Sequence, residues 1–492
     1  MTAQQHHTAI DLGALHDPNN PFGADAVLAA DETSELSGEE LLRSFGLAEQ
    51  FVPAEHGGKL TRLDHLVGIG RALYGRDPAL ALANAGGPLI ASLLVWQAGD
   101  AGQRQRAADL LLGGGWLAVA VTELDHGNDL TAAELSATPL PGGWQLTGRK
   151  ELITNAARAD AAVVFARTNP AGGPRAHSLM WVEPEDAEAL PRYTTDGVRG
   201  VQLGGFDFRG HVVPEHAVLG SPGSGLEHLL KAFQITRTAL PAMAVGVLDT
   251  ALRIAVEHLR ERELYGHRAI DLPHVRAGLA RVYRDLLTAE AVSAVGLRVL
   301  HLAPRAASAS SSVVKFVVSG LLVNALDRVA ELLGAYSYLR EGPTGLVQKL
   351  LRDLRLVGFG HVARAACQMS LLPQLPMLAR RSWRTGAPEV PGLFDIGGDL
   401  PDLRFDRFAV HAGGFDPVTS TLHGTTELGA LAETCAALPM SGLGVDAPPA
   451  HYDLVTRYAE LFTKACVLRV FGAEIPFPDE EAVLDRLLAD QH

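Results

Sequence analysis

Most of the chemistry this chain could carry is concentrated in a few short segments. Val121-Thr122-Glu123 is followed by Gly127-Asn128-Asp129, and Ile153-Thr154-Asn155 comes after two apolar runs around Pro141-Gly142-Gly143. Further on stand Thr236-Arg237, then Glu261-Arg262-Glu263-Leu264-Tyr265-Gly266, then Glu331-Leu332-Leu333-Gly334-Ala335, and last Arg352-Asp353 ahead of His361. A threonine hydroxyl can donate to a group that gains negative charge in a reaction. An arginine fork suits a diphosphate through paired, charge-assisted bonds. A neutral imidazole can take a proton near pH 7.

The elements that must position these residues fall into four stretches. Residues 1 to 117 read as mostly helical after a polar start, with Ser37 as N-cap and Glu40 at the third helical position of a short helix. Long apolar-periodic segments then run from Leu60 to Leu112, interrupted at Gly86-Gly87-Pro88. From 118 to 222 the period shortens to that of strands, at Val163–Ala166, Leu179–Val182 and Gly205–Pro214, predicting a small barrel or sandwich. Helical spacing returns over 223–378, where Val247, Leu248, Ala251, Leu252, Ala255 and Leu259 mark one buried stripe. Similar segments over 274–303, 311–335 and 345–378 complete a four-helix bundle. Residues 379–492 begin with a polar, Pro/Gly-bearing run and read as a helical extension packed on that bundle.

At 492 residues with 47% apolar content, the chain is long enough for several packed domains. A net charge of −14 argues against general nucleic-acid binding, although Arg380, Arg381 and Arg384 make a local basic cluster. Three scattered cysteines exclude a disulfide framework or a zinc site and fit a reducing cytoplasm. No signal peptide is read at the start. No charge-free apolar run of about 18 residues, the length of a membrane span, is expected.

In their order and spacing, the segments over roughly 40–378 resemble the acyl-CoA dehydrogenase family. The resemblance implies an α+β chain: an N-terminal helical domain, a middle β-domain and a C-terminal helical bundle. It implies FAD, with Val121, Thr122, Gly127 and Asn128 against the ring and phosphate, and Thr154 near the ring edge. Asn128 stands where the family has Ser, and Leu152 where a Trp packs on the ring. The segment Thr236-Arg237…Glu261-Arg262-Glu263-Leu264-Tyr265-Gly266 resembles the family's TR…ERxxFG. By that resemblance Arg237 supports the substrate region, while Arg262 and Tyr265 meet the FAD diphosphate and adenosine across a subunit boundary. Gly334 keeps one glycine of the family's QxxGGxGY, with Glu331 and Ala335 replacing two of its other residues. For each motif the plainer alternative is ordinary strand, turn or helix-surface packing.

The departure that matters most is at the base. Counting on from Asp353, the position of the family's proton-abstracting carboxylate holds His361, and the following Gly-Thr is Val362-Ala363. The other place where relatives carry a base is Thr236. His361 is therefore either a substitute base or a packing histidine. His423-Gly424-Thr425-Thr426-Glu427 looks like the lost EGTxE but lies too far along, leaving Glu427 as a fallback carboxylate. Three functions follow from the resemblance. The first is an FAD-dependent dehydrogenase of an acyl thioester on CoA or acyl carrier protein. The second is a same-fold flavin oxidase or monooxygenase, and the third a catalytically degenerate subunit. A homodimer, a homotetramer or a heteromer with a related chain is implied.

Overall fold

The computed structural model describes residues 10–184 and 187–472, so the ends of the expected N-terminal and C-terminal stretches lie outside it. The described helices begin with α1 (Ala24–Thr33), α2 (Glu39–Phe45) and α3 (Leu63–Arg76). Next come α4 (Pro78–Ala81), α5 (Gly87–Ala98) and α6 (Ala101–Leu112). After the strands follow α7 (Gly225–Glu261), α8 (Pro273–Leu302), α9 (Ala307–Leu333) and α10 (Gly342–Leu354). The series closes with α11 (Arg364–Leu371), α12 (Leu375–Leu378), α13 (Thr426–Ala436) and α14 (Pro449–Phe471). The described residues divide into two compact units, one within 30–61 and 79–236, the other within 10–29, 62–78 and 237–472. Helix α7 begins in one and ends in the other.

The sheet-bearing unit is built on β1 (Leu117–Ala120), β2 (Ser136–Leu140), β3 (Gly143–Thr154) and β4 (Ala161–Arg167). Strands β5 (His177–Val182), β6 (Glu188–Leu190), β7 (Leu203–Pro214) and β8 (Val218–Leu219) complete it. Their order is β6-β7-β3-β2-β4-β5-β8, with β1 parallel beside β4. The three segments read as strands lie in β4, β5 and β7. Nearly all of β4 and β5 is buried, as expected for short continuous apolar runs at the centre of a sheet. Helix α5 is apolar all round and packs on β1 and β4, so it needs no polar face.

The long β3–β7 pair slips register between Glu151 and Ile153. That bulge leaves Leu152 with φ 53° and its side chain exposed, directly beside Thr154.

Three expectations are corrected. Ser37 does not cap α2: Gly38, at φ 85°, occupies the N-cap and no side-chain oxygen caps the helix. The break expected at Gly86-Gly87-Pro88 is a wide helical turn over Leu82–Gly86 that runs into α5, with Pro88 in its first turn, where a missing N–H costs nothing. A charge-free apolar run of membrane length does exist, at Pro78–Ala98. Gly225–Glu261 and Pro304–Tyr338 are likewise long and apolar enough to cross a membrane. In all three, 78% or more of the apolar window is buried inside the protein, so the core already uses that surface.

In the helical unit α8 and α9 pack side by side, with α10, α11 and α14 against α9. Gly296 of α8 lets the helices close up; a Cβ there would meet Val314 Cγ2 at 2.6 Å. The turn before His361 is anchored by a buried ion cluster. Lys349 Nζ donates to Asp77 Oδ1 (2.5 Å) and Asp353 Oδ2 (2.7 Å), and Arg352 Nε donates to Asp353 Oδ1 (3.0 Å). The extension is clasped by α8: Arg298 donates to the carbonyls of Gly392 (2.6 Å), Gly398 (2.8 Å) and Asp399 (3.3 Å).

Candidate functional site

In the sheet-bearing unit, the segment after β1 is stitched to β3. Lys150, fully buried, donates to Val121 O (3.0 Å) and to Glu123 Oε1 (2.7 Å), while Glu151 N donates to Thr122 O (2.9 Å). Glu123 also accepts from the backbone of Glu134 (2.7 Å) and Leu135 (3.0 Å). Burial pushes its carboxyl up, but Lys150 and these N–H groups outweigh that and hold it below the usual range. The net effect is a fixed frame presenting Val121 and Thr122, both half-buried.

Thr154 is half-buried as well. A Cβ on Gly87 would come within 2.9 Å of its Cγ2, so the glycine lets α5 approach this residue. Gly127, at φ 54°, shapes an exposed turn that carries Asn128. Sequence reasoning missed Lys150 and Glu123: Lys150 stands between Arg149 and Glu151, so its neighbours in the chain do not mark it as buried.

In the helical unit, Arg237 is buried and its Nη1 donates to Ser312 Oγ (3.3 Å), which is also 3.1 Å from Ser370 Oγ. Arg262 lies over the Tyr336 ring (5.1 Å) and donates weakly to Leu333 O (3.4 Å). Tyr265 and Gly266 form the tip of a tight hairpin between β9 (Glu263–Leu264) and β10 (His267–Arg268). Both tip residues have positive φ, and the tyrosine is 92% exposed. Gly334, at φ 61°, ends α9 in the open.

Between α10 and α11 the chain turns through Gly358-Phe359-Gly360 to His361 (φ 53°) and Val362 (φ 95°). A β-branched residue at φ 95° is strained; this position favours glycine. His361 is half-buried, and its Nδ1 is shut off from solvent with no hydrogen-bond partner among the described residues. Burial and the Lys315 charge together hold its pKa well below the usual imidazole range. Lys315, on α9, is fully buried and donates to Gly360 O (2.7 Å), pinning this same turn. Burial lowers its pKa to about 8.

The fallback carboxylate is elsewhere engaged. Thr425 caps α13, and Glu427 sits in an exposed ion pair with Lys464 (2.7 Å).

With this geometry in hand, comparisons with known proteins give a consistent picture. Residues 118–210 match the model of the acyl-CoA dehydrogenase middle domain and residues 223–361 that of the acyl-CoA dehydrogenase C-terminal domain. A mitochondrial isovaleryl-CoA dehydrogenase from Oryza sativa subsp. japonica is 25% identical over 328 residues, 65% of this chain and 78% of that protein. Among solved structures, the FAD complex of PigA superposes with a TM-score of 0.66 at 20% identity, covering 72% of this chain and 93% of that one. The prolyl acyl carrier protein oxidase AnaB gives 0.60 at 20% identity, covering 72% and 91%. At such identities the structural likeness is one of fold.

Proposed function

The chain belongs to the acyl-CoA dehydrogenase family, and from that premise we propose that it is an FAD-dependent oxidoreductase acting on an acyl thioester, delivered by CoA or by an acyl carrier protein. The observation that carries this is the frame around Thr122: two half-buried threonines flank a strand edge locked by the buried Lys150–Glu123 pair.

The chain's own residues fit FAD. Thr122, just past β1 and tied to β3, and Thr154, at the end of β3, offer hydroxyl donors suited to an isoalloxazine edge on which negative charge develops. Gly127 and Asn128 provide an open turn for the phosphates. Arg262 has one weak bond among the described residues, leaving most of its fork for a diphosphate, and the exposed Tyr265 beside it suits an adenosine in an oligomer. When bound, FAD supplies a two-electron acceptor for the substrate's β-hydrogen. Leu152 offers only an aliphatic face where a tryptophan would stack.

Proton removal is the protein's part. His361 is the residue offered to the α-proton, and its neutral ring has an accepting nitrogen. A base is effective when its pKa lies near the working pH, and burial together with Lys315 moves His361 away from that condition. This favours a second reading, in which the chain is a same-fold flavin oxidase or monooxygenase, or the degenerate partner in a heteromer, and proton abstraction at this position is dispensable. A cytoplasmic homodimer or homotetramer is the assembly we propose for the first reading.

The test is purification followed by flavin quantification and anaerobic titration. Stoichiometric FAD bleached by an acyl-CoA or acyl carrier protein thioester supports dehydrogenation. Oxygen uptake that depends on a reductase supports the second reading, and a colourless protein overturns the redox function.

A further inference from the structure

A single helix grips the His361 turn on both sides. Upstream of the histidine, the fully buried Lys315 reaches from α9, and its Nζ donates to Gly360 O (2.7 Å). Downstream, Arg364, the first residue of α11, folds back on α9. Its Nε donates to the carbonyl of Phe316, the residue after Lys315 (3.0 Å), and its guanidinium lies over the Phe316 ring (5.0 Å). Gly320, one helical turn along, makes room for it: a Cβ there would collide with Arg364 Nη2. Three neighbouring positions of one helix therefore serve one short turn.

What lies between the two grips is strained. His361 (φ 53°) and Val362 (φ 95°) both occupy left-handed backbone, which is uncommon for a histidine and costly for a β-branched valine. Such residues persist only where their surroundings over-determine them. Among the described residues, no main-chain hydrogen bond holds this pair itself. The flanking ones are Gly360 N to Leu356 O (2.7 Å) and Cys367 N to Ala363 O (3.1 Å). Gly358 and Gly360, just upstream, give the chain an easy path to relax once a grip is lost. The two ties to α9 are thus what fixes the direction of the side chain between them.

Resting on the thioester function proposed above, with His361 as its base, we propose that Lys315 and Arg364 are positioning residues for His361. Both act through the main chain: they hold the left-handed pair, and the pair sets where the imidazole meets the substrate's α-proton. Proton transfer needs the base within hydrogen-bond reach, so a loosened turn slows abstraction while leaving thioester binding in place. Gly320 belongs to the same device, because a side chain there would push Arg364 off Phe316.

The test uses the full-length, FAD-loaded protein and has two readouts. The first is hydrogen–deuterium exchange over residues 356–363, measured by mass spectrometry without thioester. Lys315→Met and Arg364→Ala are each expected to speed it about tenfold. The second is anaerobic bleaching of the flavin by butyryl-CoA or butyryl-acyl carrier protein, whichever reduces the wild type. Both variants are expected to slow bleaching at least about tenfold, with affinity of the same thioester for the reduced protein within about twofold. Arg364→Lys keeps a donor for Phe316 O and is expected to retain most of the wild-type rate. Arg364 is exposed, so Arg364→Ala decides the matter if Lys315→Met fails to fold. Unchanged exchange in the folded variants overturns the clamp, and faster exchange with unchanged bleaching overturns its role in positioning His361. A wild-type flavin that neither thioester reduces overturns the thioester function and the positioning role that rests on it, while exchange still decides whether α9 holds the turn.

Discussion

Two lysines of the helical unit, Lys349 and Lys315, are equally buried and treated in opposite ways. Lys349 sits between Asp77 and Asp353; burial alone would lower its pKa, but the two carboxylates more than offset that and raise it. Lys315 has a single backbone carbonyl and falls to about 8. The first is a closed structural cluster whose charges cancel. The second is an open one, and it lies at the turn that leads into His361. Buried charge that is already balanced holds a fold together, whereas the ammonium of Lys315 holds one turn.

The sharpest way to break this contrast is to remove each lysine. Lys349→Met takes a cation from the buried cluster with Asp77 and Asp353 and should cost about 3–5 kcal/mol in urea unfolding, enough to compromise folding. Lys315→Met removes a charge that has no carboxylate partner among the described residues. It should change stability of the ligand-free protein by less than about 1 kcal/mol in either direction. Equal losses in the two variants would erase the distinction.

The Lys150–Glu123 pair is a second balanced cluster, and Glu123→Ala should cost about 3 kcal/mol by leaving the Lys150 ammonium with only the Val121 carbonyl. Because the pair fixes the frame under Thr122, the same variant should purify with markedly less flavin, read from its visible absorbance. Val362→Gly relieves a left-handed backbone at a β-branched residue. It should stabilise by about 1 kcal/mol, seen as a higher urea midpoint with an unchanged slope.

A pH dependence follows as well. The folded pKa of Lys315, about 8, is below the unfolded value of 10.5, so between those values the unfolded chain binds more protons. Stability should therefore rise as pH increases from 8 to 10. Lys315→Met should flatten that rise in a comparison of urea midpoints at the two ends.

Much of this architecture is legible in the residues themselves. The runs Val163–Ala166 and Leu179–Val182 declare strands because no helix of that length carries such continuous burial between turn residues. Thr122, Thr154, Arg262 and His361 announce themselves by type and spacing. Lys315 did not, because a single lysine in a helix ordinarily reads as solvated. Its flanks, Val313-Val314 before and Phe316-Val317-Val318 after, are the signal that it points inward. Ser37 misled because the capping pattern says nothing of the neighbouring glycine, whose left-handed backbone moves the helix start by one residue.

The clasp of Arg298 on Gly392, Gly398 and Asp399 has a practical consequence for anyone trimming this protein to the length of its relatives. A chain cut short before residue 392 would strip a guanidinium of all three carbonyls and leave His301 without Pro401 O. The shortened protein would be damaged in α8 itself, so the tail is part of the bundle's construction and not a detachable accessory.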